Sequence, residues 1–481
     1  MDRSCLFLDC QRFQTSAFRR MKSIGVLLLA RVVSADIACN FNVSSDFASA
    51  NGCDAKCLGI LRHANAYDHT QVGLDFDFGF YETAHNFTGS KPGDLLKLQA
   101  ADPVPLNIKA GTTVYRFQYT SLDLDGKTVV PSTGFVAFPY APLGSPSFSN
   151  YHSVAFAHGT IGVYRGCAPS NGPALFDYDS WQLLLERGYA VVATDFAGLG
   201  NNETLHKYCS FPAQANDVYY SMVAARSAFS NALSSNWMSV GHSEGGGAVW
   251  KLAESSLLTN ETLQYLGTVA LAPATHIIDM AIDGLLDSGG DGPDSGGFAS
   301  YAPSLAIGIQ RYKPSYNLTL LGPKMRQRMA IADRAQVCAT ALAGLTLDLK
   351  LEEIVSLEGA AGDLPLLQEW QNKTAPSDGR ALAPILVVQG LNDTSILPQT
   401  TKDAVERACR GGNTIHLSLY PGVEHSPLIP ASAPEWLRWI DARFAGHPVA
   451  ANCSTVTRAP FGNGAHMKLA PEDDMKAEYG L

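Results

Sequence analysis

The feature that most constrains this chain is the stretch Trp237–Trp250, which reads WMSVGHSEGGGAVW. A short apolar run with strand character ends at Val240, the pentapeptide GHSEG follows at 241–245, and a helix can begin at Gly246. A Gly-x-Ser-x-Gly motif between a strand and a helix is typical of a nucleophile elbow, a sharp turn that exposes a serine. We therefore predict that Ser243 is a nucleophile; the alternative is a serine in a glycine-rich turn that matches the motif by chance.

The elbow also accounts for the residues around the serine. Such a turn holds Ser243 in a strained backbone conformation, so the neighbouring positions must lack bulky side chains. Glycine at 241 and 245 meets this steric need, and Gly241, His242 and Gly245 are predicted to form the elbow. The glycines at 245–247 are not a phosphate-binding loop, because no Gly-Lys-Ser/Thr sequence follows them.

Size and composition indicate a globular protein with a large core. The chain has 481 residues, of which 46% are hydrophobic and 17% are charged, enough for one large domain with insertions or for two domains. The net charge is −10 and no long run of Lys or Arg occurs, so we expect no nucleic-acid partner. No apolar run approaches the ~18 residues that a membrane span needs, so we expect no transmembrane segment.

Residues 1–35 are predicted to be a signal peptide. A basic stretch at 19–22, an apolar stretch at 24–30 and the small residues before position 36 follow the order of an export signal. Arg31 interrupts the short apolar stretch, and an ordinary surface helix is the alternative. Because Met21 is a better start residue, residues 1–20 are interpreted as an extension of the gene model.

Two further patterns favour a secreted, extracellular glycoprotein with disulfide bonds. Asn-x-Ser/Thr sequons, the acceptors of N-glycans, occur along the whole chain. They lie at Asn42, Asn86, Asn202, Asn260, Asn317, Asn372, Asn392 and Asn452. An even number of cysteines remains after residue 35, which suits disulfide bonds in an oxidising compartment. The pairing is open from sequence; Cys167–Cys209 is the best single guess, because both residues flank the same predicted strand region.

The order of predicted elements indicates an α/β fold with a mostly parallel sheet. Residues 36–100 read as irregular, and Thr113–Thr120 with Thr133–Phe138 form an antiparallel pair at one edge of the sheet. Continuous apolar strands alternating with helices follow, as expected for a parallel sheet that is covered on both faces. The strands are Ser153–Ala157, Tyr189–Thr194 and Gly267–Ala272, and the helices are Trp181–Arg187 and Asp217–Asn231.

The pattern changes between residues 275 and 383. A glycine-rich stretch at 287–297 is followed by apolar helical segments that include Lys324–Leu345 and Ile354–Trp370. Because about a hundred residues are too many for a loop, we predict a mainly helical cap, or lid, over 275–383. Asp287, Asp291 and Asp294 lack the spacing of a calcium loop, so a flexible hinge is favoured over a metal site.

The cap divides the sheet domain into the parts 36–274 and 384–446. Strands Pro384–Gln389 and Thr414–Tyr420 and the amphipathic helix Ala433–Phe444 complete the second part. Residues 447–481 are polar, and we expect a tail that wraps the surface or stays mobile.

The predicted nucleophile needs a base, and the base needs an acid that orients it. Asp393 follows the strand Pro384–Gln389, and His425 follows the strand Thr414–Tyr420, so both are expected at the carboxyl ends of strands, where sites of open α/β sheets lie. The alternatives are less suitable, because they lie within a strand, a presumed loop and a presumed helix. They are His416, Asp378 and Asp403. If Asp393 is buried against His425, the adjacent Asn392 should carry no glycan.

An ester-cleaving serine also needs backbone N–H groups that bind the oxyanion. The first is expected from Glu244, the residue after the nucleophile, and the second from the loop His158-Gly159-Thr160, with Thr160 favoured. His158 precedes the serine and a tight glycine turn, so it is interpreted as a residue that stabilises this loop, with a catalytic base as the alternative.

Together these motifs resemble the secretory lipase family of α/β hydrolases, which includes lipase A-type enzymes. The resemblance covers roughly residues 90–445. It rests on AHGTIG with CAPS at 157–170, GYAVVATDFAGLG at 188–200, GHSEGG at 241–246, GLND at 390–393 and EH at 424–425. It implies a triad of Ser243, Asp393 and His425, an oxyanion hole at Thr160 and Glu244, and a helical lid after Gly267–Ala272. Relatives more often carry Gln or Gly in place of Glu244, a departure that concerns the polarity of the pocket.

The sequence thus predicts a secreted serine esterase or lipase that acts on a small-molecule ester or lipid, with possible transient contact with a lipid interface. No cofactor and no metal are expected. A lactonase or an aminopeptidase-like hydrolase with the same triad is the alternative. A peptidase would need acidic cap residues that face the pocket, and Glu352 and Glu353 are candidates only because they lie in the cap. A non-catalytic binding module, which would have a broken triad, is a distant alternative.

Overall fold

The computed structural model describes residues 36–143, 150–259, 263–287 and 299–461. The predicted signal peptide at 1–35 lies outside the described residues, as do Asn260, Asp291, Asp294, the side chain of Asp287 and the end of the predicted tail. In the described part, no helix is both long and apolar enough to cross a membrane.

One ten-stranded sheet forms the centre of the protein, in the order β1-β2-β3-β5-β4-β6-β7-β8-β9-β10. The strands are β1 (Leu95–Ala100), β2 (Thr113–Leu122), β3 (Val129–Phe138), β4 (Tyr151–Ala157), β5 (Ala190–Thr194), β6 (Leu233–His242), β7 (Gln264–Leu271), β8 (Ile385–Gly390), β9 (Ile415–Tyr420) and β10 (Ser454–Thr457). Neighbouring strands from β5 to β10 are parallel, and β1, β2, β3 and β5 pair antiparallel. The predicted α/β class with a mostly parallel sheet is confirmed.

Both faces of the sheet are buried. Successive side chains of a strand point to opposite faces, so a strand in the middle of the sheet contributes to both hydrophobic clusters. In β4, Ala155 and Ala157 join one hydrophobic cluster, whereas Val154 and Phe156 join the other. The same alternation explains why these strands read as continuous apolar runs in the sequence.

Helices cover the two faces of the sheet. The helices up to β8 are α1 (Ser45–Ala50), α2 (Ala55–Val72), α3 (Phe78–Tyr81), α4 (Trp181–Glu186), α5 (Phe211–Ala228), α6 (Glu244–Ala253), α7 (Ile277–Asp287), α8 (Ala302–Tyr312), α9 (Pro323–Ala335), α10 (Ala339–Gly344), α11 (Leu351–Ile354) and α12 (Leu357–Thr374). Two more, α13 (Pro398–Arg410) and α14 (Leu428–Phe444), follow β8 and β9. Side chains of α4 and α14 enter one cluster, and those of α2, α5 and α6 enter the other.

The expectation of an irregular segment at 36–100 is wrong. The segment contains α1, α2, α3 and β1, and α2 begins where the Asp54 carboxylate accepts hydrogen bonds from the N–H groups of Lys56 and Cys57. Its buried positions Leu58, Leu61 and Ala64 follow helical spacing, but polar residues and the turn residues at its ends obscure this pattern. Strand β1 pairs with β2, so the predicted antiparallel pair β2–β3 lies one strand inside the edge.

The segment between β7 and β8 contains helices α7 to α12 in its described part, in agreement with the predicted helical character. Its boundaries as a separate cap remain a prediction. The predicted helix Lys324–Leu345 is broken at Gln336, which adopts a left-handed conformation with φ 51°. The predicted helix Ile354–Trp370 is likewise interrupted, at extended Val355, before α12 begins.

The predicted tail contains one more strand than expected. Residues 454–457 form β10, which pairs parallel with β9. This segment is mostly polar, and its backbone forms the edge of the sheet. A short segment whose strand character comes from backbone pairing carries no periodic apolar pattern, and its sequence therefore did not predict it.

The predicted disulfide Cys167–Cys209 is wrong. The pairs are Cys53–Cys57, Cys167–Cys338 and Cys409–Cys453, and Cys39 and Cys209 are buried thiols. An isolated β-bridge joins Gly162 to Cys338 and brings the loop after β4 against α10. The partner of Cys167 is thus supplied by a segment 171 residues away in sequence, which nearness along the chain cannot indicate.

Candidate active site

Ser243 occupies a sharp turn between β6 and α6. Its backbone has φ 56° and ψ −119°, a region that non-glycine residues rarely adopt. The Ser243 N–H donates to the carbonyl of Leu271 at 2.9 Å, and its own carbonyl accepts from the N–H of Ala274 at 3.0 Å. These bonds to the end of β7 hold the strained turn, and the side chain is half-buried between buried neighbours.

The glycines of the elbow are sterically required. A Cβ atom at Gly241 would lie 2.1 Å from the carbonyl oxygen of Gly245, and one at Gly245 would lie 2.0 Å from that of Ala157. Strands β4 and β6 therefore approach the first turn of α6 more closely than any side chain permits. The strand–turn–helix geometry predicted from the sequence is present.

Asp393 and His425 meet at the same edge of the sheet. The Nδ1 atom of His425 lies 2.7 Å from Oδ2 of Asp393, and both residues are buried. The His425 ring centroid lies 4.5 Å from that of His242, the residue before Ser243. The structure thus brings the predicted acid and the predicted base together, and the base packs against the residue that precedes the predicted nucleophile.

Backbone and side-chain donors hold the carboxylate of Asp393 in place. Its Oδ1 atom accepts from the N–H groups of Ser395 and Ile396 at 2.9 and 2.8 Å, and its Oδ2 atom also accepts from Nε2 of Gln389 at 3.0 Å. Gln389 is oriented in turn by the hydroxyl of Thr401 at 2.8 Å. These donors fix the position of the carboxylate oxygens relative to the His425 ring.

The loop His158-Gly159-Thr160 follows β4 next to the elbow. The Gly159 N–H donates to the Tyr178 hydroxyl oxygen at 2.8 Å, so it is already engaged. The assignment of Thr160 as the oxyanion donor of this loop remains a prediction. Glu244 is the first residue of α6, where backbone N–H groups have no acceptor within the helix.

The side chain of Glu244 departs from the expectation that it tunes the polarity of the pocket. It is only 2% exposed, and its carboxylate accepts from the Thr160 hydroxyl and from the N–H of Cys209. Gln214 and His206 also point at it from the region around the start of α5. The sequence contained no signal for this cluster, because its members are up to 84 residues apart.

The rival residues have other partners. His416 Nδ1 lies 2.6 Å from the hydroxyl of Ser454 in β10, and Asp378 pairs with His276 and Arg407 at 3.5 and 3.7 Å. Asp403 accepts from Gln399 on α13. His158 lies with its ring nitrogens 2.7 and 3.2 Å from the carbonyl oxygens of Gly159 and Asp195, and burial lowers its pKa, as expected of a residue that stabilises the loop.

The acids proposed for a peptidase do not form an amine-binding site. Glu353 accepts from the N–H of Lys350 and pairs with Lys324, so it caps α11, and Glu352 is exposed. A cleft of about 260 Å³ between α7 and α13 lies elsewhere and contains none of the predicted catalytic residues. It is lined by His276, Asp279, Ile282, Asp283, Thr400, Asp403, Ala404 and Arg407.

Strand order, the elbow and the acid–histidine pair at the carboxyl edge define an α/β hydrolase. Solved structures with this fold match most of the chain. Candida antarctica lipase A has a TM-score of 0.61 at 16% identity over 83% of this chain and 92% of its own. The rice cell wall degrading esterase LipA from Xanthomonas oryzae has a TM-score of 0.56 at 16% identity over 74% of this chain and 98% of its own.

Sequence comparison then identifies the family. The family model of secretory lipases matches residues 176–452, more than half of the chain, and the protein belongs to that family. Lipase 10 of Candida albicans is 24% identical over 408 residues, which cover 79% of this chain and 83% of that lipase. The protein is therefore a carboxylic ester hydrolase of the lipase and esterase class.

Proposed function

We propose that the protein is a secreted serine esterase or lipase that works through an acyl-enzyme on Ser243. The observation that carries the proposal is the Asp393–His425 pair, at 2.7 Å, beside a serine held at positive φ at the start of a helix. A serine in such a turn projects from the backbone toward the base that activates it.

Each group has one task in the proposed reaction. Ser243 Oγ attacks the carbonyl carbon of the ester and transfers its proton to Nε2 of His425, while Asp393 holds Nδ1. The N–H groups of Thr160 and Glu244 bind the oxyanion of the tetrahedral intermediate. His425 then gives the proton to the leaving alcohol oxygen. Water then attacks the acyl-enzyme in the same way. The acyl group leaves as the carboxylic acid, and the Ser243 hydroxyl is restored.

Secretion is proposed on three grounds. Residues 1–35 have the sequence pattern of an export signal, the described residues contain three disulfide bonds, and the family is one of secretory lipases. Every sequon asparagine that the structure describes is exposed, including Asn392 next to buried Asp393. The exposure of Asn392 removes the steric reason for predicting that it carries no glycan.

The substrate class is an ester of a small molecule or a lipid. The named relatives include lipases and a cell wall degrading esterase, so the proposal extends to acyl chains of different length and leaves the alcohol open. Contact with a lipid interface is proposed only for long-chain substrates.

The test is hydrolysis of p-nitrophenyl esters from acetate to palmitate by the mature chain and by Ser243→Ala. We expect kcat/KM to fall about 10,000-fold or more in the variant, because the nucleophile is removed. A fluorophosphonate should label the unmodified protein at Ser243. Ser432→Ala, which removes only a hydroxyl bonded to the carbonyl of Leu428 within α14, is the matched control and should retain activity.

Equal hydrolysis by Ser243→Ala and the unmodified protein would overturn the proposal. Two further substrates separate the alternatives with the same triad. Preferential cleavage of a γ-lactone would indicate a lactonase, and cleavage of an aminoacyl p-nitroanilide would indicate a peptidase. If no substrate is cleaved and the fluorophosphonate does not react, the proposed enzymatic function is wrong.

A further inference from the structure

A buried carboxylate lies directly beside the proposed oxyanion hole. Glu244 follows the nucleophile, and its side chain is turned away from solvent toward the loop before α5. Its Oε1 atom accepts from the N–H of Cys209 at 3.2 Å and from the Gln214 amide, and it lies 3.3 Å from Nε2 of His206. Its Oε2 atom accepts from the Thr160 hydroxyl at 3.1 Å.

This carboxylate is ionised at neutral pH. Burial by itself raises the pKa of Glu244, but the hydrogen bond and the charge of His206, with further contributions from His158 and the Cys209 N–H, lower it below its ordinary value. Its position in the first turn of α6 adds the favourable dipole of a helix N-terminus. A buried charge is tolerated only when donors surround it, and here they do.

The direction of the bonds to Thr160 follows from the number of available protons. The Thr160 hydroxyl has one proton, which goes to the acceptor-only carboxylate of Glu244. The contact of 3.2 Å between the hydroxyls of Thr160 and Tyr208 is therefore donated by Tyr208. Thr160 is thus held from both sides, by Tyr208 and by Glu244.

We propose that Glu244 is a positioning residue, whose carboxylate binds the Thr160 hydroxyl and thereby sets the two oxyanion N–H groups, those of Thr160 and Glu244 itself, at a fixed separation. The inference rests on the proposed function and adds a role for a side chain where the reaction requires only the backbone. The same residue supplies one N–H group directly and orients the other through its side chain.

The arrangement also limits an electrostatic cost. A negative charge close to a developing oxyanion opposes its formation, and the opposition is greatest in a water-excluded site. The donors from His206, Gln214 and Cys209 all lie on Oε1, so they draw the charge of Glu244 to the side away from Thr160.

Thr160→Val and Thr160→Ser test the proposal with little change in volume. Valine keeps the backbone N–H and loses the hydroxyl, so we expect kcat to fall about 10- to 100-fold, as for a misplaced or lost oxyanion donor. KM should change by less than about threefold, because the ground state makes little use of the hole. Serine keeps the hydroxyl and should restore kcat to within about threefold of the original.

An alkylboronic acid, which forms a tetrahedral adduct with the serine, should bind the valine variant more weakly by a factor similar to the loss in kcat. Thr346→Val is the matched control. The hydroxyl of that buried threonine donates to the carbonyl of Ala343 near the end of α10, far along the chain from the site, and its loss should leave kcat unchanged.

The outcomes separate this inference from the proposed function. If Ser243→Ala is inactive and Thr160→Val keeps kcat and boronate affinity within about twofold, the positioning role of Glu244 is wrong and the serine mechanism stands. A lower melting temperature of Thr160→Val with unchanged kcat of the folded enzyme would likewise overturn it, because that is the result of a purely structural bond. If Ser243→Ala keeps its activity, the proposed function itself fails.

Discussion

The two sides of Ser243 are stabilised by different chemistry. On the side of α6, the ionised carboxylate of Glu244 contacts His206, Gln214 and Thr160. On the side of β6, Tyr178 and His242 connect the loop after β4 to the backbone of His425 through neutral groups. One network contains a buried charge, and the other contains none.

The neutral network has a consistent set of donors. Burial, and next the charge of His425, hold the pKa of His242 well below its usual range, so its imidazole is neutral. The Tyr178 oxygen accepts from the Gly159 N–H, and its proton goes to Nδ1 of His242 at 3.3 Å. The His242 Nε2 proton then goes to the carbonyl of His425 at 3.4 Å. Tyr178 and His242 thus each accept one hydrogen bond and donate one.

The difference between the networks predicts how much stability each loses when one hydrogen-bond partner is removed. Loss of a neutral partner leaves a polar group unpaired, at a cost of roughly 1–3 kcal/mol, whereas loss of a partner of a buried charge costs roughly 3–5 kcal/mol. In the proposed mechanism the proton is transferred by His425, which Asp393 orients, and neither network takes part in that transfer. The following predictions test this division from the largest effect to the smallest.

The largest effect is expected from Asp393→Asn, which bypasses both networks. The amide cannot hold the required tautomer of His425, so kcat should fall about 10,000-fold with little change in stability. Kinetics on a p-nitrophenyl ester and thermal unfolding measure the two effects. Asp403→Asn, at an exposed acid on α13, is the matched control, and a similar loss in that variant would contradict the assignment.

A smaller effect, on stability, is expected from the matched variants His206→Phe and His242→Phe. Removal of the His206 imidazole leaves Glu244 with fewer donors and should lower the free energy of unfolding by about 3 kcal/mol. The His242 variant loses two long neutral hydrogen bonds and should lose about 1 kcal/mol. Urea unfolding at pH 7 measures both values. Equal losses would show that the charge of Glu244 does not distinguish the two sides.

The smallest effect is the pH dependence of stability. The pH range in which stability is lost should differ between the two networks. The folded-state pKa of His242 lies well below its ordinary value of 6.5, so the unfolded chain binds the proton first and stability is lost as the pH falls below 6.5. The folded-state pKa of Glu244 lies below its ordinary value of 4.5, so its contribution is lost only as the pH falls below 4.5.

The measurement compares the free energy of unfolding of the unmodified protein with that of each variant from pH 7 to pH 3. The difference for His242→Phe should shrink as the pH falls below 6.5, and that for Glu244→Gln only below 4.5. Differences cancel the opposite contribution of Asp217, whose pKa burial raises to about 7. If the differences for both variants shrink over the same pH range, the division into neutral and charged networks is wrong.

Local sequence patterns determined the elements on which the site is built. Mostly apolar runs between turns predicted β4 to β9, because a strand covered on both faces is apolar at most positions. The motif GHSEG predicted the turn at Ser243, since a Cβ atom at Gly241 or Gly245 would lie 2.1 Å or less from a backbone carbonyl oxygen. Asp393 and His425 were found because the carboxyl ends of parallel strands share one edge.

Patterns of this kind do not identify the residues that support the site or the elements that depend on the rest of the fold. Gln389 orients Asp393, and Tyr178 accepts from Gly159, yet each is an ordinary polar residue in its own segment. The N-terminal helix α2 and strand β10 were missed because their burial or pairing depends on the rest of the fold. Conservation across relatives would be the signal most suited to find such residues.

The sequence by itself determined the fold class and the turn that holds Ser243, and it predicted the pairing of Asp393 with His425. Only the tertiary structure decided that Cys167 pairs with Cys338 and that the Glu244 carboxylate meets Thr160 and His206. The physical reason is that glycine sterics and apolar periodicity act over a few residues. Disulfide bonds and buried hydrogen bonds depend on the positions that the packed sheet and helices give to distant side chains.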